Sequence, residues 1–585
     1  MSVQALYRAY RDGQLVVNRQ YQRKLVWTVA EKQRLIDSIL KDFPLPLFLL
    51  AETQPTKGKP VWEIVDGIQR LNAIFGFIEN GFQIEEKCFD VKEFARAKQL
   101  AEAGIFTECA ASVERLAPNL CANLLDYQLA VTIFPGDQNT PITEVFGRIN
   151  SGGRQLSDQE RRQAGVLSPF AEIVRVLAAE IRGDVSRDVL LLSEMPEISI
   201  ETSRNSHGYT LKAEDIFWTY QGILRTGDLR ESDDEQVLAD ICASILYDEP
   251  VEASGDFLNR IYSQETDEAK EVNSRLATYG RDRLFYEVKT TFSTVRTTLE
   301  EVDPERFAFR RLVYPKATSN AQKAPFFAVF MAFHDLIFRE GMAPVNNEAI
   351  VKALKDLAKG IRVGQKHIKT EDRKRNIKVV NGLIREAFVK EDVSVLRHGP
   401  GLIFDFENSI RRSKTETTRY EFKQGILRLA GSREVDKGLL QSLVETFSAI
   451  ANLGPEADGF VYLGICDKPQ DAHRVKTLDG IEPLSFEHVQ IVGVDREPSI
   501  LGISMDRYMR LIEDEVRNSR LGEPLRTQLL SGLDVISYKG RSIVRVRIPK
   551  QGAPTFIGDE CFIRQGTSTI AATGPQIAAI TNLFI

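Results

Sequence analysis

The sequence is poor in the residues from which metal sites and disulfide frameworks are built. Its 585 residues include only six cysteines and six histidines, and both sets are scattered along the chain. No two cysteines lie at a spacing typical of a zinc or redox motif, so we expect reduced thiols and no zinc site. No apolar run approaches the length that crosses a membrane, and the first residues do not resemble a signal peptide. The sequence therefore predicts a soluble cytoplasmic protein.

An excess of positive charge is also lacking. The net charge is -6, with 27% charged and 43% hydrophobic residues. Such a chain is not a general coat for nucleic acid, so contacts with DNA or RNA must come from local patches. The chain is also too long for one hydrophobic core. We expect an α+β multidomain protein with an α/β domain at 1–165, a helical region at 166–395, a linker at 396–404 and an α+β domain at 405–585.

The most informative stretch runs from Val61 to Arg70. Its apolar beginning predicts a strand, the pair Asp66 and Gly67 predicts a turn, and apolar residues at helical spacing predict a helix after it. Such a segment points amide groups and the positive end of a helix at one place. Gln69 adds an amide, and Arg70 adds a planar set of donors that suits phosphate oxygens. A turn of this kind is mostly structural when it stands alone.

Neighbouring segments change the interpretation of this turn. Tyr21 to Thr28 and the loop from Phe43 to Pro46 precede it, and a glycine-containing loop from Phe146 to Leu156 follows it. Ser157 to Glu160 then predicts a capping box at a helix start. In this order the segments resemble the N-terminal domain of the GmrSD-type, modification-dependent restriction enzymes. That domain is related to the ParB and sulfiredoxin nucleotide-binding fold.

The resemblance implies a site for a nucleoside triphosphate, with hydrolysis in some members of the family. The family motif Asp-Gly-Gln-Gln-Arg has Ile68 in place of its first Gln here, which favours binding over efficient hydrolysis. The residues expected to contact the nucleotide are Gln22, Arg23, Asp66, Gly67, Gln69, Arg70, Asn150 and Gly152. In a competing interpretation, Arg23 and Lys24 are a solvated surface pair.

The pattern of the middle region is helical. Apolar residues recur at helical spacing from Phe170 to Ile181, and Ala324 to Met331 is nearly all apolar, which predicts a buried helix. This region packs against the first domain or contacts a bound polymer, and the sequence leaves both open. The stretch from Ile361 to Lys378 is basic, which predicts a solvated helix face or, alternatively, a strap that contacts phosphates.

The stretch from Glu416 to Lys423 suggests a chemistry for the C-terminal domain. Glu421 and Lys423 are two residues apart, so they face the same side of a strand. Two carboxylates near a lysine suit a nuclease site in which the acids hold Mg²⁺ or Mn²⁺ and the ammonium stabilises phosphate charge. A salt-bridge ladder on the surface of the strand is the alternative.

Segments from 405 to 585 resemble the Schlafen-type AlbA-like domain, whose members bind nucleic acid and in some cases cleave RNA. The resemblance assigns three metal-binding catalytic acids, a catalytic lysine and three nucleic-acid-binding residues, namely Glu416, Glu421 and Asp467, then Lys423, then Arg564, Thr567 and Ser568. The turn after Asn452 is longer and more acidic than the family's, which makes Asp458 a rival third acid.

Together these features predict a prokaryotic anti-phage defence effector. In the first hypothesis, an N-terminal domain that is regulated by a nucleotide, or that senses modified DNA, controls metal-dependent cleavage of DNA or RNA by the C-terminal domain. In the second, the N-terminal domain is a nucleoside triphosphatase switch, and the C-terminal domain binds nucleic acid or a partner without cutting it. A transcriptional regulator is a third hypothesis, which the net charge disfavours. The trigger, the nucleotide, the polymer and a homo-oligomeric state are left open, and no membrane partner is expected.

Overall fold

The computed structural model divides the chain into two compact units, Met1–Glu391 and Asp392–Ile585. It describes every residue except 20–23, 54–59, 137–156, 164–167, 185–188, 200–209, 264, 315–318, 363–367, 391–401, 415–416 and 585. Both units combine helices with small sheets, which confirms the α+β multidomain class. The predicted boundaries at 165, 395 and 404 stay predictions, and most of the predicted linker lies outside the described residues.

A five-stranded mixed sheet organises the beginning of the N-terminal unit. Its strand order is Val131–Pro135, Phe48–Thr53, Val61–Asp66, Leu15–Asn18 and Val189–Leu191. The central strand Val61–Asp66 is antiparallel to Phe48–Thr53 and parallel to Leu15–Asn18. The edge strand Val189–Leu191 pairs with Leu15–Asn18. The sheet is therefore completed by a strand from the part of the chain that was predicted to be helical.

Helices pack against this sheet and share its apolar core. Leu50 and Ile64 of the sheet pack in one cluster with Leu71 and Ile74 of the helix that follows the central strand. Among the described residues, the helices of this part are Val3–Arg11, Val29–Leu40, Ile68–Ile78, Ala95–Glu102 and Pro118–Asp126. A buried carboxylate, Glu79, ends the third of these helices. It accepts hydrogen bonds from the Tyr7 hydroxyl and from Arg11 Nε, both at 2.7 Å, and burial raises its pKa to about 7.

A disulfide between Cys88 and Cys109 closes a segment of 21 residues in the same unit. Cys88 lies in the short strand Lys87–Cys88, which pairs with Glu114–Arg115. The expectation that all six cysteines are reduced thiols is wrong for this pair, because the fold brings together two residues that are distant in sequence. The other four cysteines are free and buried.

The remainder of the N-terminal unit is mainly helical, as predicted. The apolar stripe from Phe170 to Ile181 is buried in the helix Pro169–Arg182, and every side chain from Pro325 to His334 is buried. The helices are Asp158–Gln163, Pro169–Arg182, Phe217–Tyr220, Thr226–Arg230, Asp233–Leu246, Gly255–Tyr262, Asp267–Tyr279, Arg281–Val302, Ala308–Val313, Lys323–His334, Asn347–Ala353 and Thr370–Ile384. Two strand pairs complete it, Glu197–Ser199 with Thr210–Lys212 and Met342–Pro344 with Phe388–Lys390.

Acidic neighbours neutralise much of the basic stretch before residue 378. Arg373 donates to both carboxylate oxygens of Asp240, at 2.9 and 2.6 Å, and its side chain is only 4% exposed. Lys374 lies 2.7 Å from Glu249. These contacts favour a packed helix face over the alternative of a phosphate-binding strap.

None of the helices in the described residues has both the length and the apolar character that a membrane span needs.

A four-stranded sheet forms the centre of the C-terminal unit. Its strand order is Tyr420–Lys423, Gly459–Leu463, Arg541–Ile548 and Leu533–Tyr538. The first pair is parallel and the other pairs are antiparallel. Glu421 is aligned with Val461, whose side chain packs in the core that includes the helix Lys437–Ala451. The opposite face, with Phe422, packs against the helix Ile403–Ser413.

The other elements of this unit surround the sheet. They are the helices Pro469–Asp479, Arg496–Leu501, Met505–Asn518, Leu525–Leu530 and Gly574–Leu583, and the strands Ile465–Cys466, Leu484–Phe486, Val489–Ile491, Phe562–Gln565 and Ser568–Ala571. Glu497, which is completely buried, holds the chain after the first strand. Its carboxylate accepts from the amides of Ile426 and Leu427, at 2.7 and 3.1 Å, and from the Tyr508 hydroxyl at 2.6 Å.

Candidate functional site

The predicted strand, turn and helix are present around Gly67. The strand Val61–Asp66 leads through this glycine into the helix Ile68–Ile78, which confirms the sequence interpretation. Gly67 has a φ of +101°, and a Cβ at this position would lie 2.4 Å from Cδ1 of Phe48. The turn therefore needs glycine for its conformation and for space. The first amides of a helix have no intrahelical partner, so the turn presents donors and the positive helix end together.

Arg70 holds the loop before the second strand against this turn. Its Nη2 donates to Asp66 Oδ2 at 2.6 Å and to the Leu47 carbonyl at 3.1 Å, and its Nη1 donates to the Pro46 carbonyl. The guanidinium carbon lies 4.4 Å from the ring centroid of Phe48, and the side chain is 12% exposed. Arg70 thus positions the walls of the turn, and a phosphate contact by its guanidinium stays a prediction.

Gln69 holds a second segment against the same turn. Its Nε2 donates to the Lys24 carbonyl at 2.5 Å, and its Oε1 accepts from the amides of Val26 and Trp27, at 3.2 and 3.3 Å. This segment leads directly into the helix Val29–Leu40. The structure therefore brings the turn together with both of the upstream segments that the sequence associates with it.

The structure describes four of the eight residues that are predicted to bind the nucleotide. The other four lie outside the described residues, namely Gln22, Arg23, Asn150 and Gly152. The capping box predicted directly after residue 156 is confirmed. The Ser157 amide donates to Glu160 Oε2 at 2.9 Å, and Ser157 Oγ accepts from the Glu160 amide at 3.2 Å. The interpretation of Lys24 as a solvated surface residue is wrong, because its ammonium is buried and donates to Ser232 Oγ at 2.9 Å.

A second cluster lies on the edge strand of the C-terminal sheet. Lys423 Nζ donates to Glu421 Oε1 at 2.5 Å, which confirms that the two side chains share a face. Nη2 of Arg564 lies 2.9 Å from the other carboxylate oxygen, Glu421 Oε2. The Glu421 side chain is 14% exposed and that of Lys423 is 33% exposed. A carboxylate between two cations leaves one positive charge in excess, and Lys423 is the member most accessible to an anion.

Arg564 supports this cluster from inside the unit. Its side chain is 1% exposed, its Nη1 donates to Thr569 Oγ1 at 3.0 Å and its Nη2 donates to the Tyr420 carbonyl at 3.3 Å. The contact with nucleic acid that the resemblance assigns to it stays a prediction, whereas its observed position is that of a support for Glu421. Thr567 and Ser568 are exposed at the tip of the hairpin and are accessible to a polymer.

The described part of the C-terminal unit does not form a metal site. Asp467 is exposed after its strand, and the rival acid Asp458 lies 3.2 Å from Arg419 Nη1. No group of three His, Cys, Asp or Glu side chains in the described part of the chain could hold a metal ion. Both oxygens of Glu421 face cations, and Glu416 lies outside the described residues. These residues alone therefore do not fit Mg²⁺ or Mn²⁺.

Sequence reasoning missed a buried ionic cluster beside the N-terminal turn. Arg182 Nη1 donates to Asp234 Oδ2 at 2.5 Å and to Glu235 Oε1 at 3.1 Å, and all three side chains are buried. Acidic residues at a helix start are ordinary, so the local pattern gave no indication that these two carboxylates are enclosed.

A comparison with known families identifies the domain to which the N-terminal turn belongs. Residues 3–167 match the model of the GmrSD restriction endonuclease, N-terminal domain. The chain therefore carries a GmrSD-type N-terminal domain, and the match includes the turn and four of the five strands of its sheet. No curated protein and no solved structure matches the chain. The AlbA-like assignment of residues 405–585 stays a prediction.

Proposed function

We propose that this chain is a restriction-type anti-phage effector. Its GmrSD-type domain binds a nucleoside triphosphate at the turn from Asp66 to Arg70, and the bound nucleotide licenses the C-terminal unit to cleave DNA or RNA. The family match over residues 3–167 carries the proposal, because the matched domain is that of a restriction endonuclease.

The geometry of the turn supports the nucleotide step. A helix start that follows a glycine is suited to phosphate, since amides and the helix dipole act on the same anion. Gln69 and Arg70 fix the flanking segments through five hydrogen bonds to backbone groups. The site is therefore held in shape before the ligand arrives, which reduces the entropic cost of binding.

The charges on the C-terminal edge strand support the cleavage step. Phosphodiester cleavage builds negative charge on the phosphate oxygens, and fixed cations stabilise that charge. Lys423 is accessible, and Glu421 holds its ammonium in a defined place. In this mechanism Lys423 contacts the phosphate, Arg564 keeps Glu421 oriented, and the hydroxyls of Thr567 and Ser568 contact the polymer.

The nucleotide step is tested by equilibrium binding of ATP, GTP, CTP and UTP to the full chain. Arg70→Ala should weaken binding about tenfold or more, because the loop beside the turn is released. Arg115→Ala is a matched control, since this arginine also donates to backbone carbonyls in the same domain, those of Cys109, Ala110 and Val113. Equal affinities in the two variants would contradict the assignment of the site.

The cleavage step is tested with panels of DNA and RNA in the presence of each nucleotide. Parallel reactions contain Mg²⁺, Mn²⁺ or a chelator, which establishes whether a cation is required. Glu421→Gln should abolish cleavage, whereas Asp534→Asn should retain it, because Asp534 also pairs with an arginine of this sheet but lies on another strand. If Glu421→Gln cleaves nucleic acid at the native rate, the assignment of cleavage to the Glu421 cluster is wrong.

A second function is favoured by the two cations that flank the Glu421 carboxylate. A carboxylate that faces both Lys423 and Arg564 suits a binding surface as well as a catalytic site. In this alternative the GmrSD-type domain is a nucleoside triphosphatase switch, and the C-terminal unit binds nucleic acid or a partner without cutting it. It predicts retention of nucleic acid without cleavage under any cation, together with nucleotide hydrolysis that is lost in Arg70→Ala.

A further inference from the structure

Lys24 connects the GmrSD-type turn with the helical part of the N-terminal unit. Its backbone carbonyl accepts the 2.5 Å hydrogen bond from Gln69 Nε2. Its ammonium points away from the turn and donates to Ser232 Oγ at 2.9 Å and to the Leu229 carbonyl at 3.2 Å. One residue therefore contacts the proposed nucleotide motif through its backbone and the helical part through its side chain.

The Lys24 ammonium also lies in a buried ionic cluster. Asp234 Oδ1 and Glu235 Oε1 lie 3.7 and 3.8 Å from Lys24 Nζ, and both carboxylates are also bound by Arg182. Asp184 and Arg19 also belong to this cluster, and Asp184 bridges the two arginines at 3.0 Å each. Each of these six side chains is less than a tenth exposed.

Moving the Lys24 ammonium out of this buried cluster costs free energy. A buried ion pair is strongly destabilised when one partner leaves, because the other charge stays without compensation in a medium of low polarity. A second ionic contact fixes the helix that follows this segment, since Arg230 Nη2 donates to Glu31 Oε1 at 2.5 Å. The segment and its following helix are therefore each attached to the helical part.

We infer that Lys24 is a positioning residue for the nucleotide site, and that Asp234 and Glu235 of the helical part keep it in place. The inference rests on the proposed function and extends it: the nucleotide site depends on residues beyond the GmrSD-type domain. The helix Asp233–Leu246 begins with both carboxylates, so it is the element that holds the Lys24 side chain.

Two variants separate the effect of Lys24 on nucleotide binding from its effect on stability. Lys24→Met keeps the aliphatic chain and removes the charge, which takes one cation from Asp234 and Glu235. The double variant of Lys24→Met with Asp234→Asn removes one charge of each sign, so its unfolding midpoint should recover towards the native value. Its affinity for ATP, GTP, CTP and UTP should stay about tenfold or more below native, because the carbonyl that Gln69 binds is no longer anchored.

Arg373→Met is the matched control for a lost buried cation. Arg373 is similarly enclosed and is paired with Asp240, which lies on the helix Asp233–Leu246 six residues after Asp234. This variant should lose stability and bind the nucleotide with native affinity. Native affinity in both Lys24 variants would overturn the inference while leaving the proposed function intact. If the native chain binds none of the four nucleotides, the proposed function fails and the inference fails with it.

Discussion

The close approach of Gly67 to Phe48 makes a quantitative prediction about the GmrSD-type turn. An alanine here must adopt a φ of +101°, which costs about 1–2 kcal/mol for an L residue. Its Cβ would also lie 2.4 Å from the Phe48 ring, which is completely buried. Overpacking of this kind costs about 1–3 kcal/mol. Gly67→Ala should therefore lower the free energy of unfolding by about 2–5 kcal/mol.

Gly104→Ala separates the two contributions. Gly104 has a φ of +74°, and a Cβ there meets nothing within 4 Å. This variant carries the conformational cost alone, and both variants have the same effect on the entropy of the unfolded chain. The difference between them should therefore be about 1–3 kcal/mol, which is the cost of the contact with Phe48.

Tryptophan fluorescence in urea is the appropriate assay for this comparison. The three tryptophans of the chain, Trp27, Trp62 and Trp218, all lie in the N-terminal unit, so the signal reports that unit alone. Gly67→Ala should unfold at a clearly lower urea concentration than Gly104→Ala. If Gly67→Ala and Gly104→Ala unfold at the same urea concentration with equal slopes, the contact with Phe48 costs nothing and the prediction is wrong.

Three further predictions concern buried groups in the two units. The folded pKa of Glu79, about 7, lies above its ordinary value of 4.5, so its stabilising contribution is complete below pH 4.5 and is lost as the pH rises through 7. Urea midpoints should thus fall from pH 5 to pH 8, and Glu79→Gln should flatten that fall. Combining Cys88→Ser with Cys109→Ser should cost about 3 kcal/mol, and a reductant should destabilise only the native chain. Arg564→Met should destabilise the C-terminal unit by about 1–3 kcal/mol in calorimetry, because the Tyr420 carbonyl loses a buried donor while Lys423 still pairs with Glu421. Arg428→Met, at an arginine that is 55% exposed, should have little effect.

Local patterns in the sequence were sufficient to predict the elements that carry the N-terminal site. The apolar run before Asp66 and the helical spacing after Arg70 predicted the strand and helix on either side of Gly67, because both signals come from neighbouring residues. The capping box of Ser157 and Glu160 was predictable for the same reason, since its two members are three residues apart.

Contacts between distant residues could not be predicted in this way. The hydrogen bond of Lys24 to Ser232 spans 208 residues, and that of Arg564 to the Tyr420 carbonyl spans 144. A charged residue in a polar segment has the same local pattern whether it is solvated or enclosed by acids. The disulfide between Cys88 and Cys109 was missed for the same reason, because its proximity arises from the fold and not from spacing.

The proposed control of the C-terminal unit by a nucleotide on the GmrSD-type domain can be measured directly. The measurement is the initial rate of nucleic-acid cleavage by the full chain, with and without a saturating nucleoside triphosphate. We expect cleavage that requires the nucleotide in the native chain and is absent from Arg70→Ala and from Glu421→Gln. A cleavage rate that is the same with and without every nucleotide would contradict this expectation.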